Sequence, residues 1–178
     1  MKCKKCLEKY CEDCGEEILK SIPVQNEYLK QIDTTILNKC SGKRIISKAK
    51  SSFPSWIDSD FENYGLEHTS KATEKTDVSV YEMVKDATFV QMFGSLNPDL
   101  DKLCLTQDQI IEFCKEHRSR LRTDGYATFF LFKQDDQFCV AGVGVCADGL
   151  SVDVRRFGYG PVWAAVCASR VVVPQLTV

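Results

Sequence analysis

Two Cys-x-x-Cys pairs, Cys3/Cys6 and Cys11/Cys14, stand four residues apart near the start of the sequence. A Cys-x-x-Cys turn aims two thiolates at one point, and two such turns supply the four sulfurs of a tetrahedral Zn²⁺ site. The expected cofactor is therefore zinc, held by Cys3, Cys6, Cys11 and Cys14. The spacer is shorter than the roughly 15–20 residues of an ordinary zinc ribbon. Residues Leu7 to Tyr10 must then turn tightly, or the pairs serve two metals, or one ligand comes from Cys40. Lys2, Lys4 and Lys5 would offset part of the thiolate charge. A thioredoxin-type redox role requires a preceding strand of a βαβ unit, which this stretch does not offer.

Other residues invite chemistry less directly. Residues 39–50 carry five positive charges and no acid. Lys43, Arg44, Lys48 and Lys50 form a candidate strip for contacting phosphates, with a solvated linker as the plain alternative. Cys114 and His117 fall three residues apart on one helical face, the spacing of a thiol–imidazole pair. Arg155-Arg156 and the arginines at 118, 120 and 122 could meet as an anion site. Gly142-Val-Gly144 lies within an expected strand and leads to no helix, so it reads as structural rather than phosphate-binding. Asp58 to Gly65 lacks the Gly and Glu that a calcium loop needs at its sixth and twelfth positions. The sequence contains no Gly-x-Ser-x-Gly elbow, no His-Glu-x-x-His and no P-loop.

The elements that must position these residues follow from periodicity. From Val24 to Lys39 the apolar residues Tyr28, Leu29, Ile32, Ile36 and Leu37 recur at helical intervals, predicting an amphipathic helix closed by Gly42. Phe53 and Trp56 are expected to anchor a linker onto the following domain. Ser79 and Glu82 have capping-box spacing, predicting a helix onward from there. Thr106 and Gln109 repeat that spacing with Leu105 and Ile110 as a hydrophobic staple, predicting a helix over 106–122 with Ile110, Phe113, Cys114, His117 and Leu121 on one face. Strands are expected at 127–133, 137–147 and 150–155, the last two joined by Asp148-Gly149, and at 162–173. Cys104, Cys139, Cys146 and Cys167 read as small core hydrophobes.

Tyr10-Cys11-Glu12-Asp13-Cys14-Gly15 resembles the metal knuckle of B-box and treble-clef zinc fingers, which implies zinc ligation there. The stretches FPSWID, LTQDQIIEFC, ATFFLFK and RVVVPQL, spanning about 53–176, resemble a group of small bacterial hypothetical proteins, and this likeness implies no particular activity.

With 44% hydrophobic and 27% charged residues the chain has the composition of a globular protein, and its net charge of −2 gives no global field for nucleic acid or membrane. Charge is uneven: residues 1–52 are net positive and 53–102 net negative. Charged residues open the chain, no run is apolar enough to span a bilayer, and ten cysteines suit a reducing compartment, so a cytoplasmic, membrane-free protein is expected. The resulting fold class is α+β: a zinc knuckle and amphipathic helix over 1–42, a basic linker over 43–55, and over 56–178 helices packed on a four-stranded antiparallel sheet. The function expected is a non-enzymatic, zinc-containing binding or adaptor protein whose partner is a protein or a nucleic-acid backbone. The alternative is a small enzyme using Cys114/His117 or an anion site near Arg155.

Overall fold

The computed structural model describes residues 26–176. Its centre is one seven-stranded mixed sheet formed by β1 (Leu29–Leu37), β2 (Trp56–Ile57), β3 (Thr76–Met83), β4 (Ala127–Gln134), β5 (Gln137–Cys146), β6 (Gly149–Arg156) and β7 (Arg170–Pro174). Spatial order is β1-β3-β7-β4-β5-β6-β2, with β4/β7 and β2/β6 parallel and the other pairs antiparallel. Short helices cover it: α1 (Asp60–Asn63), α2 (Phe89–Leu96) and α3 (Gln107–Glu116). Among the described residues no helix is long and apolar enough to cross a membrane.

Alternation along the central strands divides the core between the two sheet faces. Phe130 and Phe132 pack with α3, Phe53 and Phe61 on one side, while Phe129 and Leu131 pack with Phe89, Met92 and Phe93 of α2 on the other. A strand buried on both faces carries no wet side, which is why β4 reads Ala-Thr-Phe-Phe-Leu-Phe without polar interruption.

The architecture corrects the expected one. The sheet is neither four-stranded nor wholly antiparallel, because the last strand does not extend the β4-β5-β6 meander. It crosses to the other side of β4, runs parallel to it, and pairs antiparallel with β3. The expected long strand over 162–173 is confined to residues 170–174; before it the chain makes a 3₁₀ turn at Ala165–Cys167 and takes a left-handed φ of 46° at Ala168.

The helix expected over 24–39 is β1, at least from Leu29 to Leu37. One extra residue between Gln31 and Asp33 shifts its register against β3, so apolar residues on a bulged strand imitate three- and four-residue spacing. Its β-branched residues Ile32, Thr34, Thr35 and Ile36 favour strand. Likewise residues 79–83 are strand rather than helix, and the capping box belongs to Thr88 and Gln91 at the start of α2. β3 occupies an interior position and buries Val78, Ser79, Val80 and Met83, a pattern with no period of two. Residues 43–55, expected as a linker, contribute Ile46, Ala49 and Phe53 to the core.

The capping box at Thr106 and Gln109 forms as expected. Thr106 Oγ1 accepts from Gln109 N at 3.2 Å, and Gln109 Oε1 accepts from Thr106 N at 2.9 Å.

Candidate functional site

A cavity of about 310 Å³ opens on the β5–β6 part of the sheet, on the face that carries α2 further along. Strand register explains it. One transverse row across the sheet reads Ala127, Gly144, Ser151, Trp56; the next reads Val171, Phe129, Gly142, Asp153. Each row places a glycine between larger residues, which leaves a trough whose long axis crosses β5 and β6. A Cβ on Gly144 would lie 2.9 Å from Ser151 Oγ, and one on Gly142 would overlap the Asp153 carboxylate. The two glycines therefore let Ser151 and Asp153 lie across the sheet.

Aromatic residues stand around this trough. Trp56 lies on β2, which is held to β6 by Ser55 N donating to Leu150 O at 3.2 Å and Asp58 N donating to Val152 O at 2.9 Å. Its side of the site was expected to be an anchor. Phe53 does fill that role, at 0% exposure, whereas Trp56 stays 49% exposed at the cavity. On the other side Trp163 packs against Phe129, with ring centroids 4.7 Å apart. The loop carrying it is pinned: Ala87 and Trp163 exchange backbone hydrogen bonds of 3.1 and 2.9 Å, Asp86 accepts from Ala165 N at 2.7 Å, and Arg122 Nε donates to Cys167 O at 3.1 Å. Tyr126 follows the Asp124-Gly125 turn, whose residues have φ of 64° and 81°.

The polar groups are incompletely used. Arg155 reaches Asp153 through a single 3.5 Å contact, while its guanidinium lies 5.2 Å from the Tyr159 ring centroid. Burial pushes the Asp153 carboxyl above the ordinary carboxylate range; Arg155 opposes this and Asp58 reinforces it. Two buried N–H groups of lining residues, Arg155 Nε and Trp163 Nε1, have no acceptor among the described residues. A buried donor left unpaired costs about 1–3 kcal/mol, and native structures rarely leave one so without a reason.

A second cavity, about 300 Å³, is lined in part by Cys104, Gln107 and Gln134. Its polar groups are engaged in holding the fold. Gln107 Oε1 accepts from Ile46 N at 2.9 Å, and Nε2 donates to Leu66 O at 2.9 Å and Gln134 Oε1 at 2.7 Å. Burial pushes the Cys104 thiol up to about 12. Of these two cavities the first combines exposed aromatics with unpaired donors on its lining residues.

The chain matches no family profile, no curated protein and no solved structure. Function must therefore be read from this chain's own residues.

The expected site residues distribute as follows. Cys3, Cys6, Cys11 and Cys14 lie outside the described residues, and among those described there is no cluster of metal ligands. Cys40, the alternative ligand, is buried; its thiol sits 3.5 Å from Asn38 O, and burial raises its pKa. The basic strip is not uniform. Arg44 pairs with Asp108 and Glu112, Lys48 lies 3.6 Å from Glu67, and Lys43 and Lys50 stand exposed.

Cys114 is enclosed, and burial pushes its thiol upward, the reverse of what a nucleophile requires. His117 Nε2 lies 3.1 Å from Ile36 O and so joins α3 to the sheet edge. Arg155 does reach a cavity, and Arg122 touches two of its lining residues, donating to Cys167 and sitting 5.5 Å from the Tyr126 ring centroid. Of the other helix-end arginines, Arg120 is occupied, its Nε meeting Asp33 Oδ2 at 2.6 Å, and Arg118 stands exposed. Of the four lone cysteines only Cys139 is a core residue; Cys146 is exposed, and Cys167 lines the cavity.

Ser151, Asp153, Trp163 and the trough-forming role of Gly142 and Gly144 were not expected from sequence. The Asp-Gly signal locates the hairpin but not its register: the chain turns at Ala147-Asp148 with Cys146 opposite Gly149, whereas a two-residue Asp148-Gly149 turn would put Gly142 opposite Arg155 and Gly144 opposite Asp153.

Proposed function

We propose that the chain is a non-enzymatic binding or adaptor protein whose recognition site is the trough over β5 and β6, with its N-terminal cysteines forming a zinc module. The observation that carries the reading is the glycine-floored cavity of about 310 Å³, edged by the 49%-exposed Trp56 and lined by Asp153 and Arg155, with Arg155 Nε and Trp163 Nε1 buried beside it without acceptors among the described residues. The raised thiol of Cys114 makes a Cys–His nucleophile a poor rival.

The group received by the trough belongs to a protein or nucleic-acid partner, or is a small molecule. Lys43, Lys48 and Lys50 are placed to contact a polyanion, with Arg44 already committed to Asp108 and Glu112. Four thiolates around one Zn²⁺ accord with a reducing compartment.

The reading is tested by thermal shift of the purified chain against a panel of small polar compounds, in parallel with Gly144→Val, which fills the trough. A compound that raises Tm for the natural chain and not for the variant is the expected result. Shifts equal in both proteins, or none from any compound, would reject the site. Metal analysis of the natural chain beside Cys11→Ser and Cys14→Ser tests the zinc module. Stoichiometric zinc in the natural chain and its loss in both variants is expected; full retention by the variants would reject it.

A further inference from the structure

We infer that the trough receives a nucleobase, with guanine the best fit. The inference rests on the trough being a binding site and adds the chemistry of what enters.

Shape comes first. A volume of about 310 Å³ is at the small end of ligand pockets, which run from about 300 to 1,000 Å³. It suits one ring system rather than an extended chain. The glycine at the middle of each row keeps the floor low, and Gly in a strand commonly marks such a close approach. Trp56 closes one end of its row, while Phe129 and the Trp163 ring packed on it close the other side. A flat ring laid on the exposed Trp56 indole gains stacking contact of about 1–3 kcal/mol, and any base has the faces for it.

Hydrogen bonding then narrows the class. Arg155, whose side chain is 36% exposed at the trough, supplies donors, and Asp153, 33% exposed, supplies an acceptor that holds Arg155 through one long contact besides the Gly142 backbone N–H. The matching ligand must present acceptors and donors from one rigid, planar ring system. Guanine does so: N7 and O6 accept, and the adjacent N1–H and N2–H₂ donate together to a carboxylate. Arginine facing guanine acceptors is the commonest specific base contact in duplex readout, and unpaired bases are read on the same edges after being unstacked. A sugar or an aliphatic amino acid could use the polar groups but would leave the indole faces without a flat partner. Arg122 on Tyr126 adds a stacked guanidinium group at the margin, suited to a ribose phosphate.

Such a base could come from a free nucleoside or from a single strand, and the test separates the two. The chain has two tryptophans, Trp56 and Trp163, and both line the trough, so its intrinsic fluorescence reports the site directly. The full-length protein is titrated with guanosine, cytidine and a guanine-containing single-stranded RNA oligomer, with Asp153→Asn and Trp56→Leu in parallel. Saturable quenching by guanosine is expected, weaker with cytidine. Asp153→Asn should weaken it about tenfold or more, the size of one charge-assisted hydrogen bond. Asp153 is one-third exposed, so the isosteric amide is tolerated, and circular dichroism checks that the variant keeps its fold.

Tighter binding by the oligomer that depends on Asp153 and falls with salt assigns the source to a strand; equal binding assigns it to the free nucleoside. Quenching that is unchanged in both variants, or absent with every base, overturns the inference. If bases fail while amino acids or sugars from the thermal-shift panel bind and Gly144→Val abolishes that binding, the trough remains a site and only the base is wrong. If nothing binds, both fall.

Discussion

Replacing Arg44 by alanine separates a side chain kept for a partner from one kept for the fold. Arg44 Nη2 donates to Glu112 Oε2 at 2.7 Å, and its Nε pairs with Asp108 Oδ1. The Asp108 side chain is 0% exposed and that of Arg44 is 40% exposed. Truncating one member of a buried pair costs about 3–5 kcal/mol, mostly because the remaining charge is stranded. Ser41 Oγ still donates to Asp108 Oδ2 at 3.1 Å, and water can reach the space vacated by the half-exposed arginine. The lower end, about 3 kcal/mol, is therefore expected. At about 2–4 °C per kcal/mol for a chain of this size, Tm should fall by about 6–12 °C.

Alanine at Lys43, Lys48 or Lys50 should each stay within about 0.5 kcal/mol, as solvated surface positions do. Thermal and urea unfolding measure both sets, and a cycle of Arg44→Leu, Asp108→Leu and the pair isolates the coupling, expected above about 1 kcal/mol. A Tm loss below about 2 °C for Arg44→Ala, matched by the lysine variants, would refute the assignment and return Arg44 to the phosphate strip.

Three other outcomes follow from the same reasoning. Asp153 has a raised carboxyl pKa, so on raising pH the unfolded chain ionises first and the folded state is penalised above the ordinary carboxylate range. Asp153→Asn should therefore raise Tm at pH 7, with the gain shrinking toward pH 3; a gain independent of pH would contradict the burial argument. Gly42 has a φ of 76°, and a Cβ there would sit 2.5 Å from Lys71 O and 2.6 Å from Lys71 C, both backbone atoms. Gly42→Ala should cost more than about 2 kcal/mol by denaturant unfolding, whereas Gly65→Ala, at φ 71° in open space, should cost only about 1–2. Alkylation mapped by mass spectrometry should label Cys146 readily in the native protein and leave Cys114 and Cys139 unlabelled until denaturant is added; early labelling of Cys114 would revive the nucleophile.

Where local chemistry dictated structure, the sequence was readable. The Thr106/Gln109 box starts α3, and Asp148-Gly149 marks the β5/β6 hairpin although the turn itself falls at Ala147-Asp148; each signal is complete within a few residues. Misreading occurred where tertiary context decided. The extra residue in β1 gave a strand the spacing of a helix, and interior β3 lost the polar alternation that marks a strand. Placement of β7 between β3 and β4 depends on pairing with residues about ninety positions earlier, which no window of sequence contains. The site was half legible for the same reason. Its floor lies within one hairpin that the sequence locates without fixing its register, and Trp56 and Trp163 arrive from segments more than a hundred residues apart.

β7 also governs when this sheet can come into being. It is the sole bridge between the β1-β3 ribbon and the β4-β5-β6-β2 block, yet it is the last strand of the seven to be synthesised. Until residues 170–174 clear the ribosome, β3 and β4 each present a naked hydrogen-bonding edge flanked by Val and Phe side chains. A nascent chain stalled just short of that point is a natural client for a chaperone.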